Sequence, residues 1–206
     1  NFANHWYFGS GAGLDFSSGQ AVAVYNSAPA FQATEAMAAA SDSAGNLLFY
    51  TDGLNLYNRN HVQMPNGANM RGGSSSAQGA MAIRKPGSNH LYYLFTQADW
   101  GNAVTPDDGL YVSTIDMNLD GGLGDVTVHT DTLQRIATER LLAVSHCNGR
   151  DVWVINHEQD TDAFNAFLVT PNGIQAPVIS NVGTVLTGGM NNSTALGSMK
   201  ASPDGT

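Results

Sequence analysis

A stretch of eleven residues recurs in this chain without a gap: ASDSAGNLLFY at 40–50 aligns with VSHCNGRDVWV at 144–154. Each copy reads as an apolar strand, a tight turn ending on glycine, and a second strand with an aromatic residue at its centre. The turn glycines, Gly45 and Gly149, stand 104 residues apart. Between them, AMAI at 80–83, the turn Lys85-Pro86-Gly87-Ser88 and LYYLF at 91–95 repeat the plan, and MKASPDG at 199–205 begins it again. Gly45, Gly87, Gly149 and Gly205 are thus 42, 62 and 56 residues apart. A unit of about 40–60 residues with several short strands cannot bury its apolar faces alone, and radial stacking of such units buries them against one another. The expected fold is therefore all-β: a β-propeller of WD40- or TolB-like blades, four antiparallel strands each. Residues 1–206 are expected to form the N-terminal part of one propeller domain, about three blades and the start of a fourth. The ring would be incomplete, because Ser202-Pro203-Asp204-Gly205-Thr206 is a hairpin turn with no strand after it to pair.

The remaining strands follow from β-rich runs at 20–25, 110–115, 126–130, 166–170 and 178–182. Asn66-Gly67, Asn148-Gly149 and Asn172-Gly173 are hairpin signals, since the tightest hairpin turns need positive φ at both central positions. GGSSSAQG at 72–79 has no periodicity and reads as a loop between strands. One segment carries a conflict: AFQATEAMAAA at 30–40 has the composition of a helix, while the repeat aligns its end with a strand. The repeat decides, and a strand is expected over 36–40.

Charge narrows the partners. Eight Lys and Arg against seventeen Asp and Glu give a net charge of −9, and the cations are scattered, so the basic stripe that nucleic acid demands is missing. No apolar run approaches the ~20 residues of a membrane-spanning helix. Only 12% of residues are charged, about half the usual share, which suits short strands and frequent turns rather than solvent-exposed helices. One cysteine, Cys147, leaves no intrachain disulfide to form.

Three constellations have the residue types for chemistry. Asp116, Asn118 and Asp120 place oxygen ligands at positions 1, 3 and 5 of a calcium-type loop, with Gly121 at position 6. Position 12 is Thr127 rather than a bidentate Glu, so Asp125 and the Gly122 carbonyl would complete a weak Ca2+ site; the competing reading is a polar turn. His146, Cys147, His157 and Glu158 contain zinc-type ligands around one hairpin, set against their use as turn and edge residues. Trp100, flanked by Asp99 and Asn102, would suit stacking on a sugar face with polar neighbours bonding the hydroxyls. Trp6 and Trp153 lie in apolar strands and are expected in the core. No G-x-S-x-G or H-E-x-x-H occurs, so no catalytic residue is assigned. Residues 41–49 follow the outline of the sialidase Asp-box, with Ser43 at its Asp position, and that box is a structural hairpin.

A set of ordered segments completes the reading: WYFG at 6–9, GLDF at 13–16, GNLLFYTDG at 45–53, YNRNH at 57–61, MPNG at 64–67, Asp116-Met117 with GGLGDV at 121–126, and KASPDG at 200–205. In these the chain resembles the N-terminal propeller-like region of large surface proteins exported by the type IX system of Bacteroidetes-type bacteria. The resemblance implies an extracellular or cell-surface location after removal of a signal peptide. It also implies covalent continuation into further blades and PKD repeats, and it carries no catalytic residues. The function expected is a non-enzymatic surface module, adhesin-like, binding an extracellular glycan or protein ligand. The alternative is an extracellular carbohydrate-active enzyme, a glycosidase or lyase on a propeller scaffold.

Overall fold

The computed structural model describes residues 4–99, 109–187 and 194–202. These form fifteen strands and one turn of 3-10 helix, Asp120–Gly122, arranged as four antiparallel sheets along the chain. The first sheet is β1 (His5–Phe8), β2 (Ala12–Asp15) and β3 (Val22–Val24); the second is β4 (Ala38–Ser41), β5 (Leu47–Thr51) and β6 (Leu56–Asn58). The third is a four-stranded meander of β7 (Ala80–Arg84), β8 (Leu91–Gln97), β9 (Leu110–Asp116) and β10 (Asp125–Gln134). The fourth runs β11 (Leu141–Ser145), β12 (Val152–His157), β13 (Ala163–Thr170) and β14 (Gly173–Ile174), with β15 (Val178–Asn181) also pairing with β13.

Sheets of three to five strands replace the uniform four expected, and the described sheets do not close into a ring. The sheet ahead of Gly45 has its own hairpin, turning through Gly9 and Gly11, which the repeat did not announce. Strand β4 begins at Ala38, two residues later than expected, and ends on Ser41. Residues 30–37 are irregular rather than helical, tied down by Ala33 N–H donating to the Gly9 carbonyl and by Glu35 and Ala36 N–H donating to the Ser74 carbonyl.

Three apolar layers hold the sheets together, one between each consecutive pair. Tyr7 of the first sheet stacks on Tyr50 of the second, ring centroids 4.4 Å apart, with Phe31 and Tyr57 closing the layer. Phe49, Leu56 and Met64 meet Tyr92, Leu94 and Ile115 in the next layer, and Phe49 meets Tyr92 edge-to-face at 5.4 Å. Tyr93, Phe95 and Val112 face Leu141, Val154 and Phe167 in the third. The side-chain period of two makes this possible: Phe49 and Tyr50, or Tyr92 and Tyr93, are neighbours in sequence that face opposite sheets. Strands covered on both sides lose the alternation of polar and apolar residues, hence LLFYT in β5 and LYYLFTQ in β8. First strands of consecutive sheets adjoin one another, β1 against β4 and β4 against β7.

Candidate functional site

The glycines of the hairpin turns that carry the repeat share the left-handed backbone region. Gly45, Gly87 and Gly149 all have positive φ (92°, 75° and 70°), a conformation that costs glycine little and other residues more. In the first turn Asp42 Oδ1 accepts the N–H of Ala44 at 2.8 Å; 104 residues on, His146 Nδ1 accepts the N–H of Asn148 at 3.1 Å. A carboxylate and an imidazole thus do the same local work. Asn46, donating through its side chain and backbone, holds the Asp42 carboxyl below its ordinary range.

Because the turns align, strands β4, β7 and β11 end side by side, and a cleft of about 510 Å3 opens between them. Its walls are short: Ala39, Ala40, Ala82 and Ala143 stand where larger residues would fill the space. Ser41 and Ser145, equivalent in the repeat, end two of the strands, and Arg84 ends the third. Among the described residues Arg84 and Arg150 are the charged ones that line the cleft, and no Asp or Glu does. Asp151 accepts from the Arg150 guanidinium at 2.8 Å and also from Asn148 Nδ2, and these two donors lower the pKa of its carboxyl. Tyr92, the cross-strand partner of Arg84, forms part of the floor; burial pushes its hydroxyl pKa up. In a chain of net charge −9, two of the eight cations line this one cleft, and Asp151 offsets the charge of one of them, Arg150.

The structure sets the sequence candidates elsewhere. Trp100 and Asn102 lie outside the described residues. Asp99 lies past the Gln97 end of β8, where Gly73 packs against it so closely that no Cβ would fit, at the far end of the third sheet from the cleft. The loop joining β9 to β10 holds the calcium-type residues. Asp116 and Asp125 pair across its base; Asp116 Oδ1 accepts the Asn118 N–H at 2.9 Å, while Asp125 accepts its neighbour Val126 N–H and the Asn66 side chain. Asp120 opens the 3-10 turn with φ 47°, and the Gly122 N–H donates to the Leu119 carbonyl. Hydrogen bonds within the loop and one to Asn66 hold it. Among the described residues no group of three or more His, Cys, Asp or Glu side chains is gathered for a metal ion. His146 and Cys147 occupy one end of the β11–β12 hairpin and His157 the far end of β12, a strand of six residues, so the zinc-type residues are not brought together. His157 packs instead on the edge of Phe164.

Both tryptophans assigned to the core are corrected: Trp6 is 51% exposed and Trp153 half-buried. Each lies on the side of its sheet opposite the apolar layer, Trp6 against Phe16 and Trp153 beside His146. Sequence reasoning missed the cleft residues. Arg84 counted only as one of several scattered cations, although its place just before a turn glycine of the repeat was the available signal. Gln97, Asn156 and Asn165 were missed as well. All three are buried, and each has amide atoms without a protein hydrogen-bond partner. Their cross-strand partners show that they share the layer between the third and fourth sheets with Leu110 and Leu141. Comparison with known protein families, curated proteins and solved structures finds no match to this chain.

Proposed function

We propose that this chain is a non-enzymatic binding module, the head of a larger extracellular surface protein, built as successive blades of a β-propeller. Its ligand is a glycan bearing carboxylate or sulfate groups. The blade reading is supported by the repeat, by the adjoining first strands of consecutive sheets, and by a chain path that returns from the last strand of each sheet to the first strand of the next. The extracellular placement rests on the family resemblance.

The observation that carries the ligand reading is the cleft between β4, β7 and β11. Its volume of about 510 Å3 falls in the range that accepts a sugar-sized ligand. The Arg84 guanidinium at its rim has the planar donor geometry that carboxylate and sulfate accept from, Arg150 stands beside it already paired with Asp151, and the exposed Ser145 hydroxyl can exchange hydrogen bonds with sugar hydroxyls. Most glycoside hydrolases use a pair of carboxyl groups flanking the scissile bond, and among the described residues the cleft lining supplies neither. This favours binding over the enzymatic alternative at this site.

Calorimetric titration of uronate-containing and sulfated oligosaccharides, with neutral ones as control, tests the reading. The acidic ligands bind and the neutral ones do not, binding weakens with added salt, and Arg84→Ala weakens it by about tenfold. Equal affinity of wild type and Arg84→Ala, or cleavage of the oligosaccharide during titration, would overturn it.

A further inference from the structure

Two rows of cross-strand partners share the layer between the third and fourth sheets. On the third sheet Gln97, Leu110 and Gln134 stand side by side on β8, β9 and β10. On the fourth, Leu141, Asn156 and Asn165 stand side by side on β11, β12 and β13. Directly opposed side chains lie on one face of a sheet, and Leu110 and Leu141, both fully buried in one apolar cluster, say which face it is. The period of two agrees: Phe95, Val154 and Phe167, each two residues from an amide of these rows, belong to the same cluster.

Four of the six side chains are amides in a layer otherwise built of aromatic and aliphatic groups. Gln97, Asn156 and Asn165 are 1%, 0% and 4% exposed. Six buried amide atoms of the two rows have no hydrogen-bond partner among the described residues. They are the oxygens of Gln97, Gln134 and Asn156 and the nitrogens of Gln97, Asn156 and Asn165. In the unfolded chain water bonds each of them. Six such losses together are on the scale of a domain's whole net stability, so the native layer needs an occupant that bonds these atoms.

The inventory of atoms selects the chemistry of that occupant. Three oxygens need donors, and three NH2 groups need acceptors. A cation serves the oxygens alone and an anion the NH2 groups alone. Either would leave half of the atoms bare and bring a charge among four neutral side chains. Turning the amide of Gln97 or Asn156 over exchanges its oxygen and nitrogen, and since both atoms are unbonded the balance stays the same. Water both donates and accepts, and it is the smallest molecule that serves the two sets in a place closed to bulk solvent.

We infer that the third and fourth sheets enclose a binding site for ordered water, which bridges Gln97 and Gln134 to Asn156 and Asn165. One buried water makes about three hydrogen bonds, so six atoms require more than one molecule. Hydrogen bonds through water join the two sheets here, where the rest of the layer joins them by apolar contact. The site lies at the opposite end of the strands from the turns of Gly87 and Gly149, and the inference is independent of the ligand assigned to the cleft.

NMR and solvent relaxation on residues 1–206 test it. The side-chain NH2 protons of Gln97, Asn156 and Asn165 are expected to give cross peaks to water with opposite signs in NOE and ROE spectra, the mark of a bound molecule rather than of proton exchange. The oxygen-17 relaxation dispersion of the solvent is expected to lose amplitude in a Gln97→Leu, Asn156→Leu double variant. If that variant does not fold, the wild-type cross peaks decide alone. A folded wild type without them, or with exchange peaks only, would overturn the inference, as would a folded double variant with undiminished dispersion. NH2 resonances of these residues that move when Na+ or K+ replaces choline at constant ionic strength would overturn it too, by making the occupant a cation.

Discussion

At the scale of single residues, the turn at Gly149 shows how little sequence identity a shared geometry needs. Asp42 and His146 differ in charge and shape, yet each offers one acceptor to the backbone N–H two residues on. The left-handed glycine is the harder requirement. No atom stands within 4 Å of the Cβ that an alanine would add at Gly149, so strain at φ 70° is the whole cost there. Gly149→Ala is expected to lower stability by about 1 kcal/mol, read from the denaturation midpoint at unchanged slope. His157 gives a pH dependence. Burial holds its pKa below the ordinary 6.5, and His61 is shifted the same way by burial. The unfolded chain therefore takes up these protons first, so the stability is complete above 6.5 and is lost as the pH falls toward the folded-state values. Melting temperature is expected to drop between about pH 7 and 5, and His157→Gln to flatten that drop.

At the scale of elements, strand composition reports how many faces are covered. All five residues of β5 are buried, and so are six of the seven in β8, because each strand lies between two apolar layers. Phe49, fully buried and in edge contact with Tyr92, is the side chain whose loss opens the layer between the second and third sheets. Phe49→Ala is expected to cost about 3–5 kcal/mol by chemical denaturation. Segment 30–40 shows the opposite case, in which local preference loses. Its alanines suit a helix, but Phe31, Ala33 and Ala36 are needed as small or flat fillers between sheets, and all three are buried.

At the scale of the whole molecule, the sheets at the two ends of the stack are the exposed ones. Strand β15 is exposed along its length, with Val178 and Ile179 each more than half open to solvent at the outer part of the fourth sheet. Such an edge invites pairing with another chain, and the low charge of this sequence offers few lysines to discourage it. Residues 1–206 are expected to self-associate, and Ile179→Lys to shift sedimentation toward the monomer while leaving the melt unchanged. A wild-type chain that stays monomeric at high concentration would contradict this.

The sequence by itself determined the all-β class, the hairpins at Gly45, Gly87 and Gly149, and the strands around them, because turn chemistry and side-chain period act over a few residues. Which residues meet in the cleft, how many strands each sheet holds, and why Trp6 and Trp153 are left open were decided only by the tertiary structure. Arg84 and Arg150 are 66 residues apart in the chain and come to one rim because two sheets stack. His146 and His157, only eleven apart, are separated by the length of a strand. Proximity along a β chain is set by register and stacking, which belong to the assembled sheets and to no single segment.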